Sequence, residues 1–526
     1  MTPRQRRPTI LSAVWWILLG GAFLVMSATS FYLNSLPHHK KIGAPIKSVG
    51  HQLGVDVSIK HTALFQQSDG SHDDKSCVGS FGLYVHIPYC RRRCNYCDFA
   101  IIPIGDRSGD DEENIRTIGF QNMDREYKDA ILNEINHIGK SSRGKIPLRS
   151  IYFGGGTPSL APLSTLRDII HSLLHSDTAP FELIDIDEAE ITIEMDPGTF
   201  DKRYLESIKD IGFNRISLGA QSFDDNLLST MGRVHRSADI YHSIKMIADV
   251  FGEEKSNYSI DLISGTPGLT LAGWTETLYK AVSLTPKPNH ISVYDLQVES
   301  GTTFGKWYSD AIEEDDDEES PISRMTPTMS SMHPSLPSAD DCAFMYRYAS
   351  GYLRSKNYEH YEISSYALRD ENNNPRRSKH NQIYWEIGGK WYAIGLGATS
   401  NVSGMRYSRP RALSDYVSWS KCLGETEDSD HPWISEDSNQ VEDRDDVLLD
   451  IILTRLRTSD GLDLDWVVKE YGESYVETIR RGVKFFEDTD LVTLSPGRIK
   501  LKDPDGFLFS NNIISNIFAE FDENEE

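Results

Sequence analysis

Three of the chain's six cysteines fall within eight residues, in Gly82-Leu-Tyr-Val-His-Ile-Pro-Tyr-Cys90-Arg-Arg-Arg-Cys94-Asn-Tyr-Cys97-Asp-Phe99. The C-x3-C-x2-C spacing follows directly on an alternating apolar run, so a strand must end in a tight loop that gathers three sulfurs. Thiolate is the metal-binding form of cysteine, and soft sulfur ligands select zinc, copper(I) or iron–sulfur clusters. Three thiolates hold three corners of a [4Fe–4S] cube and leave the fourth iron open, whereas a cluster with four cysteines mainly carries electrons. The competing reading is a structural zinc site, a non-catalytic binding module with a ligand supplied from elsewhere. Zinc sites usually pair one C-x2-C with another, or with H-x3-H, and here Cys77, Cys342 and Cys422 are isolated. His86 is a fourth-ligand candidate in that case, and an ordinary strand residue by the alternation of its segment.

Six cysteines in 526 residues make no disulfide framework, and the triplet calls for a reducing compartment. The formal charge of −25 would repel phosphates, which argues against a nucleic-acid partner. The length allows two or three domains. Residues 1–55 hold no acid before Asp56, and Arg4, Arg6 and Arg7 precede an apolar run from Ile10 to Met26 followed by small residues. That order is the grammar of a signal sequence, and the run is marginal for spanning a bilayer. The acid-free stretch behind it reads as a transit peptide, with a linker over 56–80. A signal followed by a transit peptide resembles the address of proteins bound for plastids surrounded by extra membranes; a mitochondrial presequence and an uncleaved membrane anchor are the rival readings.

Over residues 81–305, β-branched runs at Leu83–Ile87, Ser150–Phe153, Glu190–Glu194, Arg215–Leu218, Tyr258–Ile263 and His290–Tyr294 alternate with helical stretches. Such alternation predicts a parallel sheet with helices outside. Six units are too few for a closed barrel of eight, so the expected fold is α/β, a partial (β/α)6 barrel. Chemistry in such folds sits at the C-terminal strand ends. The cysteine loop, Gly154-Gly-Gly-Thr-Pro-Ser159, Glu194, Gln221 and Asp261 all fall there. The glycines let backbone approach a ligand closely, and Pro158 suits the first turn of the next helix. No G-K-[ST] follows, so this is not a nucleotide P-loop. Residues 310–340, in which every residue of 313–319 is acidic, read as a disordered insertion, with a shorter acidic one at Asp106–Glu113. Residues 341–425 carry His380-Asn-Gln-Ile-Tyr-Trp385, where an imidazole beside aromatics is suited to an iron porphyrin, although a lone histidine is more often structural. An amphipathic helix at Asp446–Leu456, two further helices and a hairpin around Ser495-Pro-Gly-Arg498 predict a small winged-helix-like domain over 440–520.

The cysteine spacing is the one that defines radical S-adenosylmethionine (SAM) enzymes. Taken with HIPYC-x3-C-x-YCDF, the chain resembles the branch that holds oxygen-independent coproporphyrinogen III oxidases and HemW-type haem chaperones. The resemblance implies a [4Fe–4S] cluster on Cys90, Cys94 and Cys97, and SAM contacts from Tyr84, Gly155, Gly156, Thr157, Glu194, Gln221, Arg233 and Asp261. True coproporphyrinogen dehydrogenases carry Cys-x-Cys at the end of the cluster motif, whereas Cys97 is followed by Asp98-Phe99 as in the HemW type. His380, Asn381, Tyr384 and Trp385 match the HNxxYW haem signature of that type. The expected function is therefore a haem chaperone, with haem, a recipient apo-haemoprotein and an electron donor as partners. A homodimer, and membrane contact through the N-terminal segment or a recipient, are compatible with it. Oxidative decarboxylation of coproporphyrinogen III is the alternative.

Overall fold

The computed structural model describes residues 81–105, 115–142, 144–308, 332–402, 405–423 and 444–523. The expected targeting segment and linker, Cys77 and the acidic stretch 106–113 lie outside them. Among the described residues no helix is long and apolar enough to cross a membrane.

Six strands, β1 (Phe81–Ile87), β2 (Ile146–Gly155), β3 (Glu190–Met195), β4 (Arg215–Gln221), β5 (Tyr258–Ser264) and β6 (His290–Asp295), pair in parallel in that order. Between them run α1 (Ile115–Ser141), α2 (Leu163–Leu174), α3 (Lys202–Ile211), α4 (Ser237–Phe251) and α5 (Leu271–Val282). The boundaries follow local chemistry: Asp201 caps α3 by accepting from Tyr204 N–H, and Gly212 ends it at φ 113°. Pro158 departs from expectation, opening a 3₁₀ turn (Pro158–Leu160), while α2 starts only after Pro162.

The sheet continues past the expected strands at both edges. Beyond β6 lies the hairpin β7 (Tyr358–Glu362) and β8 (Ser365–Leu368). Beyond β1 lies a further parallel strand, β9 (Trp391–Ile394), then antiparallel β10 (Thr399–Val402) and β11 (Met405–Ser408). Of the insertion expected over 310–340, residues 310–331 lie outside the described residues, while 332–340 are described and packed. His333 stacks on Trp307 at 3.8 Å, Gly268 N–H donates to Ser335 O, and α6 (Ala339–Ser355) begins behind a Ser338/Asp341 capping box.

Strand alternation divides the barrel into two chemistries. Leu83, Val85, Ile151, Phe153, Ile191, Ile193, Ile216, Leu218, Ile260 and Ile291 join the helices in one large core. Their neighbours Tyr84, His86, Ser150, Tyr152, Glu190, Glu194, Ser217, Asp261 and His290 meet across the interior. Closed barrels of this family of shapes fill that space with branched aliphatics; here polar and aromatic groups fill it.

Helix α7 (Lys379–Trp385) closes the end of the barrel where the strands begin. Gly82, at the start of β1, makes room for it, since a Cβ there would lie 2.6 Å from Ile383 Cδ1. Helix α8 (Leu413–Cys422) follows the sheet, packed on α1. The C-terminal part has its own core, built from α9 (Arg444–Leu456), α10 (Leu464–Tyr471), α11 (Glu473–Glu487) and α12 (Ser510–Glu523). Its sheet adds β12 (Leu462–Asp463) to the expected hairpin of β13 (Val492–Ser495) and β14 (Arg498–Leu501), which gives the helices-plus-wing arrangement.

Candidate functional site

A cleft opens at the C-terminal ends of β1–β6, and its wall includes Cys90, Cys94, Cys97, Gly155, Gly156, Thr157, Glu194, Gln221, Arg233 and Asp261. The loop that carries the cysteines is stapled by donors to backbone carbonyls. Arg91 reaches Gly198 O, Arg92 reaches Gly232 O and Arg233 O, Arg93 reaches Cys97 O and Phe99 O, and Arg411 reaches Asp98 O. Asn95 Nδ2 donates to Thr230 O at 2.7 Å.

The sulfurs themselves have polar neighbours. Arg233 Nη1 donates to Cys94 Sγ at 3.5 Å, and Thr157 Oγ1 lies 3.6 Å from Cys90 Sγ. Asp196 links the two, accepting from Thr157 Oγ1 at 3.2 Å and from Arg233 Nη2. Burial pushes the Cys90 thiol well up and the Cys97 thiol up to about 11, so a metal that binds there displaces protons. Three half-buried cysteines on one stapled loop, with an arginine and a hydroxyl turned to two of them, fit a sulfur-ligated cluster. Among the described residues no three His, Cys, Asp or Glu side chains converge as a single ion requires.

The glycine loop is pinned to the end of β1. Gly156 N–H donates to Ile87 O at 2.8 Å and Thr157 N–H to Tyr89 O at 2.6 Å. Gly156 has to be glycine, since a Cβ would stand 2.6 Å from the Pro88 and Tyr89 carbonyls, and Gly155 adopts φ 116° above the His86 ring. Glu194 accepts from Tyr152 Oη at 2.7 Å and from Gly155 N–H at 3.1 Å. Burial raises its carboxyl to about 7, against the pull of the Tyr152 hydroxyl. Asp261 accepts from Ser217 Oγ at 3.1 Å and is likewise raised by burial. Gln221 lies at a bulge in β4 with φ 61°, a strained conformation for a residue with a side chain, and it lines the cleft.

Not every expected residue is in that wall. Tyr84 lies one layer below, 3% exposed, its hydroxyl 3.1 Å from His86 Nδ1 and its ring stacked on Tyr152. The reason is register: His86, two residues on along the same face, fills the position above it. The four residues of the expected haem signature are at the opposite end of the barrel, all buried in α7. His380 is 1% exposed, with Nδ1 2.9 Å from Ser150 Oγ and Nε2 2.8 Å from Tyr384 Oη. Burial, with Arg215 and Arg149 nearby, lowers it to about 3, so it is neutral. Asn381 N–H is capped by Ser378 Oγ at 3.3 Å, and Trp385 packs into the C-terminal core.

Sequence reasoning passed over Asp196, Tyr152, Tyr294 and Gln297. Asp196 and Tyr152 had a signal, each two residues from one already singled out (Glu194 and Gly154), and Tyr294 closes a strand the sequence marked. Gln297 follows the end of β6, where no periodicity marks it.

A model of the radical SAM superfamily matches residues 84–279, and one of the HemN C-terminal domain matches 443–508. The heme chaperone HemW of Synechocystis is 34% identical over 456 residues, 84% of this chain and 97% of that protein. The heme chaperone HemW of Bacillus subtilis is 31% identical over 64% of this chain and 74% of its own length. The mitochondrial radical S-adenosyl methionine domain-containing protein 1 of Dictyostelium discoideum is 29% identical over 80% of this chain and 90% of its own. Among solved structures, coproporphyrinogen III oxidase (HemN) from Escherichia coli superposes with a TM-score of 0.61 at 19% identity, covering 83% of this chain and 90% of that one, which shows a common fold.

Proposed function

The chain belongs to the HemW family within the radical SAM superfamily, and from that premise we propose that it is a haem chaperone that binds haem and passes it to an apo-haemoprotein. The observation that carries this reading is similarity to a heme chaperone along nearly that protein's whole length. At the residue level it is supported by Asp98-Phe99 after Cys97, where the dehydrogenase branch has Cys-x-Cys.

In this reading Cys90, Cys94 and Cys97 hold a [4Fe–4S] cluster beside SAM, which together supply one-electron chemistry when bound. Arg233 directs a donor at the Cys94 sulfur, which steadies its thiolate form, and Asp196 fixes both Arg233 and the Thr157 hydroxyl beside Cys90. The backbone of Gly155–Gly156–Thr157 would meet the amino group of SAM, and Glu194, held in place by Tyr152 Oη and Gly155 N–H, would take part in holding the rest of the cofactor. Gln221 and Asp261, in the same cleft wall, would hold the remainder of the cofactor with Glu194. His380 would ligate the haem iron, with Asn381, Tyr384 and Trp385 as the other residues of the haem signature; in the structure all four are buried and the ring nitrogens of His380 meet Ser150 and Tyr384. The similarity to a cyanobacterial relative supports the plastid as destination; residues 1–80 fused to a fluorescent protein are expected to enter plastids, and mitochondrial import would replace that address.

Anaerobic reconstitution with iron and sulfide tests the function. Expected are bound iron and labile sulfide, haem binding, haem transfer to an apo-haemoprotein, and no consumption of coproporphyrinogen III with SAM and reductant. Decarboxylation would instead favour the oxidoreductase; zinc without sulfide would remove the cluster. His380→Ala is expected to weaken haem binding at least tenfold with iron and sulfide content unchanged; full haem affinity would take His380 out of the site.

A further inference from the structure

The two candidate sites lie at opposite ends of the barrel, and one side chain spans the distance between them. On one side of Tyr152 its ring stacks on His380, centroids 5.0 Å apart and planes 21° apart. On the other side its hydroxyl donates to Glu194 Oε1 at 2.7 Å. The polar interior therefore places a single aromatic residue between the helix that carries the haem signature and the carboxylate that lines the cofactor cleft.

The state of His380 gives that contact a consequence. A neutral imidazole has one donor and one acceptor, and Ser150 and Tyr384 occupy both ring nitrogens of a side chain that is 1% exposed. No nitrogen is free for iron while α7 is seated. The seat is made by Glu190, which accepts from Ser378 Oγ at 3.0 Å, Lys379 N–H at 3.2 Å and His380 N–H at 3.2 Å. It is covered from outside by the C-terminal part, where Arg455 Nη1 donates to Trp385 O at 2.8 Å. Ligation by His380 thus requires α7 to leave this seat, and its departure strips the stacking partner from Tyr152.

We propose, resting on the haem-chaperone reading above, that haem and SAM bind antagonistically, through displacement of α7 and the loss of Tyr152's support for Glu194. SAM holds Glu194, Tyr152 and His380 in the seated arrangement; iron ligation empties it. Because coupling between two equilibrium binding sites is reciprocal, each ligand weakens the other by the same factor, roughly five- to 150-fold in the usual range.

The test uses cluster-loaded full-length protein, with haemin titrated by absorbance in the absence and presence of saturating SAM, and SAM titrated by calorimetry with and without haemin. Expected are weaker haem binding with SAM and a matching loss of SAM affinity with haem. In Tyr152→Phe, which keeps the ring and removes the link to Glu194, haem affinity should become the same with and without SAM. Ser378→Ala, which loosens the seat while leaving Tyr152 in place, should raise haem affinity. Equal haem affinity with and without SAM in the unaltered chain, both ligands binding, overturns the proposal and leaves the chaperone reading intact. Failure of haem to bind at all overturns the chaperone reading instead.

Discussion

At Gly82 a missing side chain decides how the barrel is closed. A Cβ would press within 2.6 Å of Ile383 and 3.5 Å of the His380 ring. Overpacking of this kind costs about 1–3 kcal/mol, so Gly82→Ala should lower stability by that amount in urea unfolding and loosen α7. Glu362 shows how burial writes pH into the same region. It is 0% exposed, and burial raises its carboxyl from 4.5 to about 7. Below pH 4.5 folded and unfolded chains both hold the proton; between 4.5 and 7 the unfolded chain releases it first. Stability therefore falls as pH rises through that window, by an amount of order 3 kcal/mol. Glu362→Gln should be close to neutral at pH 4.5 and more stable than the parent above pH 7, measured by denaturant unfolding at both values.

Among the elements, the cysteine loop and α7 behave as opposites. The loop is fixed by arginine side chains from near and far, the most distant being Arg411 on the Asp98 carbonyl. Arg411→Ala should leave thermal unfolding of the apo chain within about 1 kcal/mol, as for most exposed substitutions, while speeding iron loss to a chelator several-fold. The loop and the strands were legible from sequence because spacing and alternation are local. The ends of α3 are likewise local, set by the Asp201 cap and the left-handed Gly212. The role of α7 was not legible. The HNxxYW residues read as a ligand set, yet which end of the barrel they close depends on β9 pairing with β1, a contact that no local pattern encodes. The same gap hid Tyr152, whose importance comes from what lies above and below it, and the depth of Tyr84, whose inward phase was readable.

For the whole molecule, the C-terminal part acts as a clamp on the closed end. Arg377 pairs with Glu359 at 2.8 Å and with Asp460 at 3.1 Å, and Arg455 holds the last carbonyl of α7. Releasing both with Arg377→Ala and Arg455→Ala should raise the haem association rate and the amide hydrogen exchange of residues 379–385; unchanged exchange there would show that the clamp does not govern α7. The pairing of β1 has one more consequence. Gly82 lies beside Ser150 on one side and Trp391 on the other, so the first strand waits for more than 300 further residues before its second neighbour leaves the ribosome. At about 5–20 residues per second that delay is on the order of 15–60 s, during which the nascent cysteines lie outside a finished barrel. Any metal these cysteines take must therefore wait until roughly three-quarters of the chain has been made, and the cell must shield three reduced thiols until then.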